Sequence, residues 1–350
     1  MLRALLIQLD GKHPNHALLR LSAHLKNSGH EVSFRRISNP RNIEAGLWDD
    51  FDQVYASTIF DWTRPIAQRL LEIYPHAIIG GPGWSRSVTL EAHGVRGMDK
   101  DYSIYPDYQN SMGYTQRGCR MSGPKSPCRD WCVVPEMEGF VHPAEPFLQI
   151  WRGEPYPRNV ILMDNDFFGL PTWRESIKAM RDGNFKVSFN QGVNARFFDE
   201  ESAAAIASVR YYDSDFTTRT IYCAWDDGLA ITRKGDDAET HESRLFRGLR
   251  ALKVNGVRPD NITVYMLCGG PGDTPANREY RRVKLREFGC RPYPMPFVRT
   301  RELVGFQRLI VRRADLKMSW TEYSAANWRP EDVKRGEPDE PLFRILQDVA

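Results

Sequence analysis

The chain has 350 residues, with 48 Lys and Arg against 45 Asp and Glu, so its formal net charge is only +3. Hydrophobic residues make up 41% and charged residues 27%, a globular composition with length for two domains or one large α/β domain. No apolar run approaches the roughly 18–20 residues that span a membrane, Leu2–Leu9 is too short and polar for a signal peptide, and the slight basic excess does not indicate nucleic acid. A cytoplasmic location without a membrane partner is the expectation.

The first 95 residues alternate strand and helix signals. Arg3–Leu9 predicts a strand. Residues 15–27 predict a helix, with Leu18, Leu21 and Leu25 at helical spacing and Gly29 as its stop. Glu31–Ile37, Gln53–Ile59 and Ala77–Ile79 predict strands, the last running into Gly80-Gly81-Pro82-Gly83, and 64–73 predicts a helix. Such alternation implies a parallel sheet with right-handed crossovers, hence a doubly wound Rossmann-like domain over 1–95. Residues 96–112, rich in Asp, Tyr, Ser and Gly, predict a linker.

A second alternation follows. Strands are predicted at 113–117, 159–165, 186–191, 220–225, 261–267 and 291–296, and helices near 172–182, 199–208, 238–254, 275–287 and 302–313. Six strand–helix units predict a partial (β/α)6 barrel over 113–313, with its chemistry at the carboxyl ends of the strands. Residues 314–350 form a C-terminal extension, within which the charged, Pro-rich 329–341 predicts a surface segment.

Six cysteines are too few for a disulfide scaffold of this length, but Cys119, Cys128 and Cys132 crowd together as Cys-x8-Cys-x3-Cys. In a cytosolic chain such crowding points to metal. Three thiolates can hold three irons of a [4Fe–4S] cluster and leave the fourth iron open to a small molecule, soft sulfur matching iron. With His142 the same cysteines would make a Cys3His zinc set. Cys223, Cys268 and Cys290 stand in or next to apolar strands and read as small buried hydrophobes.

The run Gly113-Tyr114-Thr115-Gln116-Arg117-Gly118-Cys119, the aromatic Trp131 before the third cysteine, and Cys132-Val133-Val134-Pro135-Glu136-Met137-Glu138-Gly139 resemble the radical S-adenosylmethionine (SAM) superfamily. The resemblance covers about residues 113–300. The family spacing is Cys-x3-Cys-x2-Cys; this chain has five more residues in the first gap and one more in the second. The resemblance implies that Asp164, Asn165 and Asp166 stand where an acid and backbone carbonyls hold the ammonium of SAM, and their acceptors suit a cationic amine. It assigns Gln191 and Asn194 to the ribose hydroxyls and Arg196, with its planar fork, to the carboxylate. Gly192 would allow a close backbone approach. Asp226 and Asp227 would face SAM or substrate hydroxyls, Trp131 would join the cofactor site, and the segments Gly269–Asp273 and Pro294–Phe297 would lie near the adenine or substrate. Local readings compete at each place: an Asx-rich turn at 164–166, a pair of Arg196 with Asp199 or Glu200, a helix cap at 226–227. No catalytic side chain is assigned.

The N-terminal domain resembles the cobalamin-binding-type module often found before such barrels, with 80–83 as its glycine loop. The cobalt-ligating Asp-x-His-x-x-Gly is absent; Asp10-Gly11-Lys12-His13-Pro14 and His16 stand there instead. A scaffold without cobalamin is therefore preferred to a cobalamin-binding domain. The resemblance as a whole implies a radical SAM enzyme. Its reduced [4Fe–4S] cluster would cleave SAM to methionine and a 5′-deoxyadenosyl radical for hydrogen abstraction from an unspecified substrate. Electrons would come from a reductant such as flavodoxin or ferredoxin. The alternatives are a cobalamin-dependent radical SAM methyltransferase and a zinc-stabilised binding protein without catalysis.

Overall fold

Arg3–Gln8 (β1) buries every residue after its first, as expected of a parallel strand covered on both faces. The computed structural model describes residues 1–44, 46, 50–124, 126, 128, 131–226, 240–270 and 272–327. The chain divides into two units, Met1–Gln109 and one beginning at Asn110.

In the first unit β1 leads to helix α1 (His16–Asn27), strands β2 (Glu31–Arg36) and β3 (Gln53–Ser57), helix α2 (Arg64–Ile73) and strand β4 (Ile78–Gly80). Asn15 opens α1 by accepting a hydrogen bond from Leu18 N at 3.2 Å, and the helix buries Leu18, Leu19, Leu21 and Leu25. The sheet is parallel in the order β2-β1-β3-β4. Its direction of growth reverses between β1 and β3, the switch point where open α/β sheets bind ligands. Here the unit's own side chains occupy that place. The Asp10 carboxylate, just past β1, accepts bonds from Ile59 N, Phe60 N, Thr58 Oγ1 and Thr63 Oγ1 at 2.8–2.9 Å. Gly81, at φ +100°, packs so closely on the Thr58 carbonyl that a Cβ would overlap it, so the glycine loop after β4 serves backbone packing.

Residues 96–109 are not a linker. Tyr102, Ile104 and Tyr105 are buried, and the Tyr105 hydroxyl donates to Gln8 Oε1 at 2.8 Å and accepts from Asn15 N at 3.1 Å. Asp101 accepts from Ser22 Oγ at 2.6 Å and pairs with Lys26 at 2.8 Å. Burial opposes its charge, but these bonds prevail and hold its carboxyl down to about 2. The polar look of the segment hides an apolar face that docks on α1. Residues 111–112 already belong to the next strand.

The second unit begins with β5 (Ser111–Gly113) and β6 (Gln116–Arg117). Then come α3 (Val134–Met137), β7 (His142–Pro143), α4 (Phe147–Ile150), β8 (Asn159–Leu162), α5 (Trp173–Asp182), β9 (Lys186–Phe189), α6 (Glu200–Ser208) and β10 (Arg210–Tyr211). It continues with β11 (Ile221–Ala224), α7 (His241–Val254), β12 (Ile262–Cys268), α8 (Pro275–Phe288), β13 (Arg291–Pro296), α9 (Arg301–Val311) and α10 (Trp320–Asn327). Two parallel sheets form, β10-β9-β8-β5 and β11-β12-β13, besides the antiparallel β6–β7 ribbon. Val193 N donates to Tyr222 O at 2.7 Å, tying the loop after β9 to β11. The strand expected over 113–117 is two short ones, because the backbone leaves the sheet after Gly113 and turns Gln116 N toward Asp164.

Helix starts follow their caps: Asp199 with Ser202 opens α6, Thr240 with Ser243 opens α7, and Thr274 with Pro275 opens α8. Val160, Leu162, Val187, Phe189, Ile221, Cys223, Ile262, Val264, Met266 and Cys268 share one core with the helices. Ser188, Tyr222 and Tyr265 alternate with them and take the opposite sheet faces. The fold class is thus α/β with parallel sheets. Segment 329–341 lies outside the described residues. Among the described residues no helix is long and apolar enough to cross a membrane.

Candidate cysteine site and the strand ends around it

The β6–β7 ribbon pairs Arg117 with His142, so the chain between them leaves and returns at one place and carries all three cysteines. Glu138 fastens its base. One carboxylate oxygen accepts from Gly118 N at 2.8 Å and Asn165 Nδ2 at 3.0 Å, and the other from Arg117 Nη2 at 3.2 Å. Cys119 N donates to Gly139 O at 3.1 Å. Gly118 sits at φ +77° against Phe140 O, where a side chain would not fit.

Each sulfur has a hydrogen-bond partner of its own. Met121 N donates to Cys119 Sγ at 3.4 Å, Ser126 Oγ lies 3.0 Å from Cys128 Sγ, and Val134 N donates to Cys132 Sγ. Burial and then the nearby Asp166 carboxylate push the Cys119 thiol up to about 12. Burial also raises Cys132, which Cys128, Asp226 and Glu138 reinforce. Cys119 and Cys132 are thus held toward their thiol forms, and their thiolates need a cationic partner at the site. Soft sulfur with a hydrogen-bond partner at each atom is the kind of donor that iron–sulfur clusters use. His142 does not complete a zinc site. It is exposed, and its Nδ1 lies 3.0 Å from Phe140 O. Among the described residues no three His, Cys, Asp or Glu are arranged to hold a single metal ion.

The end of β8 closes over this loop. Arg120 grips Asp166 with both arms of its fork, Nε to Oδ2 at 2.6 Å and Nη2 to Oδ1 at 3.0 Å. Asp166 Oδ2 also accepts from Arg120 N at 3.1 Å and lies 4.0 Å from Cys119 Sγ. Asn165 is engaged by Glu138. Asp164 is buried, its Oδ1 accepting from Thr115 Oγ1 at 2.9 Å and Gln116 N at 2.5 Å, while its buried Oδ2 meets no partner. Burial pushes this carboxyl up to about 7 against those two bonds. Asn165 and Asp166 thus meet the cysteine loop and Asp164 the chain just before it, with Asp166 already held by a cation that sequence reasoning did not foresee.

The other expected residues spread along the strand ends. Gln191 is exposed. The positive φ of Gly192, +85°, serves the crossing to β11, since a Cβ would press on Tyr222 O at 3.2 Å; the close approach is to backbone. Asn194 Oδ1 accepts from Arg196 Nε at 3.1 Å, and Arg196 Nη1 lies 3.4 Å from His241 Nδ1. Asp226, just past β11, accepts from Leu267 N through Oδ1 at 3.3 Å, and its charge adds to the upward push on the Cys132 thiol. Trp131 is half-buried within the loop, its N bonded to Cys128 O at 3.2 Å. Asp227 and Pro271 lie outside the described residues.

Arg281, 1% exposed, is a residue that the sequence pattern does not single out. It donates to Trp225 O at 2.7 Å, Leu267 O at 2.9 Å and Asp273 Oδ1 at 2.7 Å, binding the ends of β11 and β12 to α8. Gly269 N donates to the same Asp273 at 2.6 Å, so the glycine-rich segment is part of this clamp. Cys223, Cys268 and Cys290 are buried in the core, and burial raises all three thiols. Comparison of the chain with family models, curated proteins and solved structures found no match in any of the three.

Proposed function

We propose that this chain is a radical SAM enzyme, with Cys119, Cys128 and Cys132 as ligands of a [4Fe–4S] cluster on a partial (β/α)6 barrel. One observation carries the reading. Three thiols, each with a hydrogen-bond partner, stand in one loop whose base is bonded to Asn165 at the carboxyl end of β8. Chemistry at the carboxyl ends of sequential parallel strands is the habit of barrel enzymes. When bound, the reduced cluster supplies the electron that cleaves SAM to a 5′-deoxyadenosyl radical.

The chain's own residues then have definite tasks. Glu138 keeps the loop closed on β8. Asp166 offers a carboxylate to a cation beside Cys119, and in the proposed complex the SAM ammonium competes with Arg120 for it. Arg196, Asn194 and Gln191 lie further along the rim for the carboxylate and ribose. The first unit is a scaffold in this reading, since its switch point is filled by Asp10 and its partners.

Anaerobic reconstitution followed by iron and sulfide analysis tests the proposal. We expect about four of each per chain, lost when Cys119, Cys128 or Cys132 is replaced by Ala and retained in Cys223→Ala. A colourless protein that takes up one zinc, with its zinc lost in His142→Ala, would contradict it.

A further inference from the structure

Arg120 and Asp166 form an unequal pair beside Cys119. The guanidinium donates from Nε to Oδ2 at 2.6 Å and from Nη2 to Oδ1 at 3.0 Å, and among the described residues it makes no other hydrogen bond. Asp166 Oδ2 has a second donor in Arg120 N, at 3.1 Å, and stands 4.0 Å from Cys119 Sγ. The Asp166 side chain is 0% exposed, whereas the Arg120 side chain is 28% exposed and lies over the Phe197 ring at 4.7 Å. The carboxylate is the fixed half of the pair. Gly169 N donates to the Asp166 carbonyl at 2.7 Å, and a Cβ on Gly169 would press on Oδ2 at 3.2 Å. The long, partly exposed arginine side chain is the half with freedom to move.

We propose that Arg120 and Asp166 together receive an α-amino-acid zwitterion, and that Arg120 holds the carboxylate of the methionine moiety of SAM. The inference rests on the radical SAM reading and reassigns one task within it. Charge balance carries it. A ligand with an ammonium alone would displace Arg120 and leave its guanidinium without an anion. A ligand with a carboxylate alone would draw Arg120 away and leave Asp166 buried without a cation, which is strongly unfavourable. An α-amino acid brings both charges on one carbon. Its ammonium replaces the guanidinium on Asp166, its carboxylate takes the released fork, and every ion keeps a partner. The bond from Arg120 N holds Asp166 in place during the exchange. Arg196 is bound elsewhere, its Nε donating to Asn194 Oδ1 at 3.1 Å and its Nη1 lying 3.4 Å from His241 Nδ1.

The test is equilibrium dialysis of the anaerobically reconstituted full chain, without reductant, against SAM and against its decarboxylated analogue, which keeps the ammonium and lacks the carboxylate. Iron is measured alongside. The wild type should favour SAM by at least about tenfold. Arg120→Met should shrink that preference by at least about fivefold, and Arg120→Lys, which keeps the charge without the fork, should lie between the two. A merely structural role would weaken both ligands alike and leave their ratio unmoved. Arg196→Met should keep the ratio, whatever it does to either affinity. If the Arg120 variants fail to hold iron, the wild-type ratio and Arg196→Met still decide. A wild-type ratio near one, an unchanged ratio in Arg120→Met, or a ratio lost in Arg196→Met would overturn the proposal. With iron bound, those results leave the cluster reading standing; a wild type that takes up no iron removes that reading and this proposal with it.

Discussion

Asp164 shows what a single side chain contributes to the site. Its Oδ1 has two donors, its Oδ2 none, and burial pushes its pKa up to about 7. An Asp in the unfolded chain ionises near 3.9. Between about pH 4 and 7 the unfolded chain has therefore released a proton that the fold retains. The stability this proton confers is full below about pH 4 and is lost as pH rises through about 7. Asp164→Asn cannot ionise, so its melting temperature relative to wild type should rise by a few degrees from pH 5 to pH 8. A constant difference across that range would contradict this account. Glu138 is the second informative residue. Glu138→Ala strands Gly118 N, Arg117 and Asn165 and should cost about 1–3 kcal/mol with weaker iron retention after gel filtration; Glu138→Gln, which keeps an acceptor, should recover part of both. The cysteines and Asp164–Asp166 were legible from sequence because soft ligands and acids declare their chemistry locally. The role of Glu138 was not, since its partners stand 20 to 27 residues away along the chain and meet it only in the folded chain.

At the scale of elements, legibility followed the strength of the local signal. Strands β1, β9 and β12 and helices α1, α6 and α8 carry apolar patterns or caps and lie within a few residues of their expected positions. Two-residue strands such as β6 and β7 are too short to show a period, and residues 96–109 look like a linker because their tyrosines and aspartates are polar in composition yet packed in the fold. Gly192 was expected to serve a ligand and serves a strand crossing, a distinction that depends on where β11 lies. Arg281 is the element-scale counterpart of Glu138. Its guanidinium is invisible in a helix already rich in arginine, yet it binds two strand ends and Asp273. Arg281→Met leaves those acceptors and a buried carboxylate short of donors, so it should cost about 3–5 kcal/mol in chemical denaturation. A loss below about 1 kcal/mol would show that Arg278, the other cation on Asp273, suffices.

For the molecule as a whole, the two units divide the labour unequally. The first has the topology of a ligand-binding sheet, but Asp10 at its switch point is satisfied by Thr58, Thr63 and the backbone after β3. The second brings the cysteine loop and the end of β8 together by hydrogen bonds, and the chemistry is proposed there. Alternation of strands and helices foretold the parallel α/β class of both units, because it follows from chain direction alone; the filling of the switch point is a matter of side chains from distant positions. The central claim is that the cysteine loop exists to cleave SAM. Its most direct test is single-turnover incubation of the anaerobically reconstituted chain with dithionite and SAM, quantifying 5′-deoxyadenosine by chromatography. The account predicts one equivalent or more per cluster from the wild type, none from Cys128→Ala, and a marked loss from Asp166→Ala at unchanged iron content. An iron-loaded wild type that forms no 5′-deoxyadenosine, or a Cys128→Ala variant that forms as much as the wild type, would contradict it.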